Sequence, residues 1–484
     1  MKKHAIIPIF IPHRGCPNDC VFCNQRKITA HQAPVRPEDV TETVETWLST
    51  LEPRHTETIE LAFFGGSFTG IPMEEQTAFL KVAKAYKDAG RIHKIHLSTR
   101  PDYITPEILD NLKRWSADVI ELGVQSFDDQ VLRLSGRGHD AACVYESSRM
   151  IQEYGFTLGI QLMIGLPGDT MERDLYSAAE TVRIGPSIAR LYPTVVIRDT
   201  ALYDMYLAGT YLPMEETEAV ERTKEMYKIL TSAGINIIRV GLKSSDIIAD
   251  AVRQDSTDFD TPSNDTQGYI SRGSNAQDGD TQGGGTLGSD TRRAASGSGS
   301  RASIVPGTFH PAFRQLVEGA IARESLEEQV LSLYPGIGDF MRSVSGEGLP
   351  TTEGRTDAAS GEALPAAGHC ANTASGEGLP TAEDCTDAAS GEALSPAEGR
   401  TNTALLRWLC PTAYFISSEK SKNNMFGHKS ANRKYFAKEY PRLNIEYVTD
   451  TQLGMSLQDG QYLVLDAGQT GGIPYTLKNK GEIL

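Results

Sequence analysis

A chain of 484 residues with 63 acidic and 47 basic side chains carries a formal net charge of −16, enough length for a full enzyme core and more than one domain, and a sign that argues against a protein whose whole surface binds polyanions. Its seven cysteines form an odd set without a framework spacing, which excludes a disulfide-built secreted domain. No apolar run approaches the ~18 residues a membrane span needs, so a soluble, cytoplasmic protein without membrane attachment is expected.

The first predicted element is a strand, Ala5–Ile11, and it leads into the run GCPNDCVFC. Cys16, Cys20 and Cys23 follow the spacing C-x3-C-x2-C, a loop tight enough to aim three thiolates at one metal centre. A cubane iron–sulfur cluster has four irons, usually all held by cysteine. Three ligands leave one iron open, which suits catalysis better than electron storage. A structural zinc site would need a fourth ligand, such as His13 or His31. A lipoprotein signal ending at Gly15-Cys16 is disfavoured, because Pro8, Pro12 and the pair His13-Arg14 interrupt the apolar run.

Strand patterns then recur at Thr58–Phe64, Ile92–Thr99, Asp118–Gln125, Thr157–Ile164 and Ile188–Ile197. Helical patterns lie between them, for example Met73–Ala89 and Asp140–Tyr154. This alternation predicts a parallel sheet, either a partial barrel or a doubly wound open sheet, with ligands beyond the C-terminal ends of the strands. Side chains alternate faces along a strand, so each polar series reports an interior lining. The series are His96, Ser98 and Arg100; Glu121, Gly123 and Gln125; Gly159, Gln161, Met163 and Gly165; and Arg190, Tyr192 and Thr194. Four such series in succession predict a polar interior built to hold something, since a buried Glu or Gln is costly unless bonded.

Further on, about Asp255 to Ser303 is a Gly/Ser/Asp-rich stretch, and Gly307 to Arg342 reads as helix-rich from near His310-Pro311. Four 15-residue units beginning at Ser345, Ser360, Ser375 and Ser390 follow, with little beyond Ala and Leu to bury, so disorder is expected there. Between Ser345 and Ala404, ten acids and two arginines give a net of −8, half of the acidity of the chain. The final stretch predicts strands at Leu405–Phe415 and Leu443–Val448 around a helix near Ala431–Tyr440. Between Lys420 and Arg442 stand seven Lys/Arg and one acid, interleaved with Asn423, Asn424, His428, Asn432, Tyr435 and Phe436. Such a run either holds a phosphate backbone and stacked bases or is a solvated helix face.

The cysteine loop with an aromatic before its last cysteine, together with AFFGGSFTGIP, LSTRPDYI, ELGVQSFDD, LSGRGHD and QLMIGLPGDT, resembles the radical S-adenosylmethionine (SAM) superfamily, in the branch of the elongator catalytic subunit and oxygen-independent coproporphyrinogen oxidase. The likeness runs in order from about Ile6 to Leu242. It implies an α/β fold, a partial (β/α)6 TIM-like barrel, to which the pattern and composition of the rest of the chain add a small C-terminal α/β module and two disordered insertions. The expected divisions are 1–242 (core), 243–305 (low-complexity insertion), 306–343 (helical segment), 344–404 (repeats) and 405–484 (C-terminal module).

The resemblance also implies cofactors and roles. Cys16, Cys20 and Cys23 would hold a [4Fe–4S] cluster whose open iron chelates the amino and carboxylate groups of SAM. A reduced flavodoxin or ferredoxin-type protein would supply the electron that breaks the sulfonium bond and generates a 5′-deoxyadenosyl radical. Phe22 would lie near the adenine, Gly65, Gly66 and Ser67 near the amino group, and Gln125 and Arg137 on the ribose and carboxylate. Ser98 stands where Glu is frequent and Gln161 where Asp is frequent, and Ser67 replaces the usual Glu after the glycine pair. The acid–base residues acting on the substrate are not identified. RNA is the leading substrate candidate; a small molecule or tetrapyrrole, or a non-catalytic metal- or haem-binding role, are the alternatives. No Gly-rich acetyl-CoA loop is recognisable after the core, so acetyl transfer is not expected.

Overall fold

Seven strands of the N-terminal part pair in the order in which the chain makes them, and every neighbouring pair is parallel. They are β1 (His4–Ile11), β2 (Thr58–Gly65), β3 (Lys94–Thr99), β4 (Val119–Gln125), β5 (Thr157–Ile164), β6 (Ile188–Pro193) and β7 (Asn236–Val240). The helices between them are α1 (Pro37–Leu51), α2 (Met73–Asp88), α3 (Pro106–Arg114), α4 (Asp129–Leu134), α5 (Ala141–Glu153), α6 (Met171–Ile184), α7 (Ala201–Leu207) and α8 (Glu216–Ser232). The structure is a computed structural model and describes residues 4–11, 20–23, 35–51, 56–242, 305, 309–334, 411–441 and 443–466. The two low-complexity tracts lie outside the described residues.

A strand order without reversal decides between the two architectures that the alternating pattern allowed. Parallel crossovers are right-handed, so stepping always to the next strand puts every helix on one face. The other face then curls into an open barrel lined by its own side chains, whereas a doubly wound sheet would reverse at a switch point. The sheet has one strand more than the six read from the pattern. β7 is a five-residue edge strand between Gly234 and Gly241, too short to show a clear alternation. The sixth strand stops at Pro193, earlier than the apolar run predicts, because proline supplies no N–H to continue the ladder.

Local signals explain the helix ends near the site. Thr105 caps α3 by accepting from Ile108 N, and Pro106 takes the first turn, where its missing N–H costs nothing. Asp128 caps α4 by accepting from Gln130 N and Val131 N, and Asp140 caps α5 by accepting from Cys143 N. The core beneath the barrel is aliphatic, with Leu61, Leu97, Ile120, Leu122, Ile160, Leu162 and Leu191 fully buried on successive strands.

The chain divides into two compact units, Met1–Pro311 and Ala312–Leu484. The second unit places α9 (Phe313–Leu333), α10 (Lys422–Phe426) and α11 (Ala431–Glu439) with a sheet of three strands, β8 (Thr412–Ser417), β9 (Asn444–Thr449) and β10 (Tyr462–Asp466). Their order is β10-β8-β9; β8 and β9 are parallel and β10 is antiparallel to β8. Leu326 and Val330 of α9, Phe415 of β8, Met425 of α10, Phe436 of α11 and Val464 of β10 form one core. Phe415 meets Phe436 edge-on at 4.9 Å, a favoured geometry for an aromatic pair.

Candidate active site

Residues 20–23 of the cysteine motif bond to segments that follow the C-terminal ends of β4 and β6, where a fold of this kind binds its ligands. Cys16 lies outside the described residues, as do His13 and His31. Cys20 is buried and Cys23 half-buried, and Cys23 N donates to Cys20 O at 2.9 Å, so the two thiols share one turn. Backbone bonds pin that turn from two sides: Val21 N donates to Ser135 O (3.1 Å) and Leu202 N to Val21 O (2.7 Å). Phe22 packs against an apolar cluster of Val196, Leu202, Tyr211 and Val305.

Arg137 joins this turn to the barrel. Its guanidinium donates from Nη1 to Cys20 Sγ (3.3 Å) and from Nη2 to the Gly123 carbonyl. The third donor, Nε, is buried and has no hydrogen-bond partner among the described residues. An unsatisfied buried N–H on a cation is costly unless an acceptor arrives, and a carboxylate is the acceptor a guanidinium takes best. Gln125, at the end of β4, is 8 % exposed and held at φ 75°, a left-handed position that few side chains adopt. Gly123 lies beside both: a Cβ there would stand 3.0 Å from Gln125 Nε2 and 3.4 Å from Arg137 Nη2. The two residues expected on the ribose and carboxylate are thus brought together, and two thiols lie on a turn beside an arginine. Among the described residues this set fits a thiolate-held cluster and an anionic ligand.

The glycine pair after β2 behaves differently from its two halves. Gly65 has φ 108°, and a Cβ would stand 2.6 Å from Ile11 O, so β1 passes too close for any side chain. Gly66 N donates to that same Ile11 O at 2.9 Å. The Gly66 donor is therefore spent on β1, and an incoming ammonium, which only donates, would need backbone carbonyls of this loop. The Ser67 hydroxyl is buried, bonds to Thr99 Oγ1 (2.8 Å) and accepts from Arg100 N (3.2 Å), tying the ends of β2 and β3 together.

Ser98 and Gln161 converge on a third residue. Gln161 Nε2 donates to Ser98 Oγ (3.3 Å) and to Glu121 Oε1, and Ser98 Oγ lies 3.5 Å from the same oxygen. Glu121 is fully buried. Its other oxygen accepts from Arg190 Nε at 2.9 Å and lies 3.5 Å from His96 Nε2. His96 Nδ1 in turn lies 3.4 Å from Glu60 Oε2, and Arg190 stacks over the Phe64 ring at 4.8 Å and donates to the Tyr192 hydroxyl (3.2 Å). Burial opposes the Glu121 charge, but Arg190 and His96 outweigh it and hold the carboxyl below the usual range. Burial would likewise keep His96 neutral, but Glu121 and Glu60 raise it above an ordinary imidazole. Glu121, Arg190 and His96 were each legible as polar strand positions, and Glu60 was not; what was missed is that the four form one network. The signal was present: the two positions that lack the customary acid, 98 and 161, flank a strand that carries one.

Two further groups shape the rim. His139 Nε2 bonds to Val124 O (3.3 Å), its Nδ1 is buried without a partner among the described residues, and burial, Arg137 and Arg100 push its pKa down to about 4. Asp169 Oδ2 accepts from Gly165 N (3.0 Å) and Oδ1 from Thr170 N (3.0 Å), fixing the loop after β5. The neighbouring Asp174 is buried beside Asp169, and burial pushes it up to about 9.

A sequence model of the radical SAM superfamily matches residues 10–179, and one of the Radical SAM C-terminal domain matches residues 186–257. A tRNA uridine(34) acetyltransferase of Methanocaldococcus infernus is 30% identical over 186 residues, 34% of this chain and 35% of the relative. The human Elongator complex protein 3 is 28% identical over 183 residues, 34% of each chain. The matched stretch thus spans about a third of the length of these curated relatives. Among solved structures, the archaeal Methanocaldococcus infernus Elp3 with an N-terminal deletion aligns with a TM-score of 0.41 at 21% identity, covering 53% of this chain and 64% of that one.

Proposed function

This chain belongs to the radical SAM superfamily of enzymes, and we propose that it binds a [4Fe–4S] cluster and SAM at the Cys20–Arg137 corner of the barrel to start a radical reaction on RNA. The observation that carries the cofactor part is Arg137, whose guanidinium spans from Cys20 Sγ to the end of β4 with one buried donor left for an acceptor. When bound, the cluster supplies the single electron that cleaves SAM.

The residues of the chain do the positioning. Cys16, Cys20 and Cys23 hold the cluster by three thiolates and leave one iron for SAM. Arg137 Nε would receive the methionyl carboxylate and Gln125, fixed by its left-handed backbone, would bond the ribose. The carbonyls of the Gly65–Gly66 loop would receive the amino group, Ser67 fixes that loop against β3, and Phe22 would cover the adenine from its apolar cluster. Ser98 and Gln161 take a different part: they hold Glu121, so the negative charge frequent at those two positions is carried instead by one buried carboxylate between them. A reduced flavodoxin or ferredoxin-type protein supplies the electron.

RNA is supported by the relatives, among them three tRNA uridine(34) acetyltransferases, and by the basic, amide- and aromatic-bearing run of the second unit. The test is anaerobic reconstitution with iron and sulfide analysis, followed by a SAM cleavage assay with and without transfer RNA. About four irons per chain and cleavage stimulated by RNA support the reading. One tightly bound zinc without sulfide would overturn it.

A further inference from the structure

In the second unit two helices, α10 and α11, are joined by Gly427-His428-Lys429-Ser430 and inserted between the parallel strands β8 and β9. We propose that this helix–loop–helix element clamps the sugar–phosphate backbone of a single strand of RNA. The proposal rests on the RNA reading above and says which part of the chain holds the strand.

Three independent features support it. The first is charge. Lys420 pairs with Asp459 (2.9 Å) and Lys438 with Glu439 (3.2 Å), but Lys422, Lys429, Arg433 and Lys434 make no ion pair among the described residues. Four uncompensated cations on one short element of a chain with net charge −16 concentrate attraction for a polyanion at one place. On α11 the buried positions Asn432, Phe436 and Tyr440 recur every four residues, which turns Lys434 and Lys438 to the opposite, exposed side.

The second feature is a stacking surface. The exposed Arg433 guanidinium lies 5.5 Å over Phe426 and 5.2 Å over Tyr447, and those rings meet edge-on at 5.3 Å. A guanidinium held against aromatic rings at the surface is the kind of group on which single-strand binders stack a base.

The third is the loop. A Cβ at Gly427 would stand 2.9 Å from Asn432 N, and Lys429 and Ser430 are both left-handed, at φ 50° and 60°. Buried Asn432 fixes it by donating from Nδ2 to Gly319 O (2.8 Å), Asn424 O (3.1 Å) and Met425 O (3.3 Å). KH modules clamp four nucleotides with a Gly-x-x-Gly loop between two helices. Here Ser430 occupies the left-handed position that suits the second glycine.

The experiment measures binding of the full chain to a labelled single-stranded RNA of about ten nucleotides by fluorescence anisotropy across a salt series. Lys429→Asp keeps a residue that tolerates the left-handed region and reverses the charge. Its affinity should fall at least about tenfold, with a salt slope shallower by about 0.7 for each phosphate no longer neutralised. Arg433→Ala should lose about tenfold with less change of slope. SAM cleavage without RNA should stay at the wild-type rate in both. If Lys429→Asp lowers the melting temperature, Lys434→Asp on the exposed face carries the same test. Wild-type affinity in the folded variants overturns the assignment of the strand to this loop and leaves the RNA reading standing. A wild-type chain that binds no RNA overturns the RNA reading itself. Equal competition by a duplex of the same sequence overturns the single-strand assignment.

Discussion

Charged side chains occur in this molecule in two opposite settings. Inside the barrel, Glu60, His96, Glu121 and Arg190 are buried and follow one another in a chain of close charged contacts that runs across β2, β3, β4 and β6. On the helix–loop–helix of the second unit, Lys422, Lys429, Arg433 and Lys434 face outward with no carboxylate of their own among the described residues. A buried network is sensitive to geometry and insensitive to salt; an exposed cluster is the reverse. The first setting can position a small ligand against a reacting bond, and the second can collect a long polyanion whatever its sequence.

The contrast can be broken most sharply at the cysteines. Cys16→Ala, Cys20→Ala or Cys23→Ala should each abolish cluster assembly, read as loss of iron and of the visible absorption after reconstitution. A full cluster in any of them would separate the loop from the site. Next comes the network: Glu121→Ala removes the only carboxylate bonded to Arg190 among the described residues and should cost about 3–5 kcal/mol of stability, measured by chemical denaturation, because a buried guanidinium is left without its counter-charge. The same experiment on Lys434→Ala should show a change within about 0.5 kcal/mol, as expected of an exposed residue. Equal losses would erase the distinction between the two settings.

Arg137→Ala should weaken SAM binding about ten- to a hundredfold, the effect of losing a charge-assisted hydrogen bond of about 1.5–3 kcal/mol. Gln125→Ala should have the smaller effect, and isothermal titration of the reconstituted protein would order them. Unchanged affinity in both would place SAM elsewhere. The smallest effect concerns His139, whose folded pKa of about 4 lies below the ordinary imidazole value of about 6.5. Its neutral form is favoured in the fold, so its contribution to stability is present above pH ~6.5 and is lost as pH falls through about 4. The cluster-free His139→Gln variant should lose less stability than wild type between those limits; parallel profiles would mean that the ring titrates normally.

Much of the fold was legible because each strand is an apolar run of ordinary length closed by glycine, proline or a polar residue. β7 escaped because five residues at an edge leave too few repeats to establish a period. At the site, Cys20, Gly65, Gln125 and Arg137 were legible as motif positions, whereas Cys16 falls outside the described residues. The partnership of Ser98, Gln161 and Arg190 with Glu121 was not legible. It depends on the register of parallel strands whose members are 23, 40 and 69 residues from Glu121, and register is a property of the sheet that no local pattern encodes.

Gln125 carries a consequence for how this enzyme can change. Its left-handed backbone is comfortable for glycine and tolerable for asparagine or aspartate, and hostile to every β-branched residue. Glycine would abandon the amide, and aspartate would trade it for a charge beside Arg137. The position is therefore nearly closed to mutational drift, and new ligand preferences in descendants of this chain would have to arise on strands whose backbone accepts ordinary side chains.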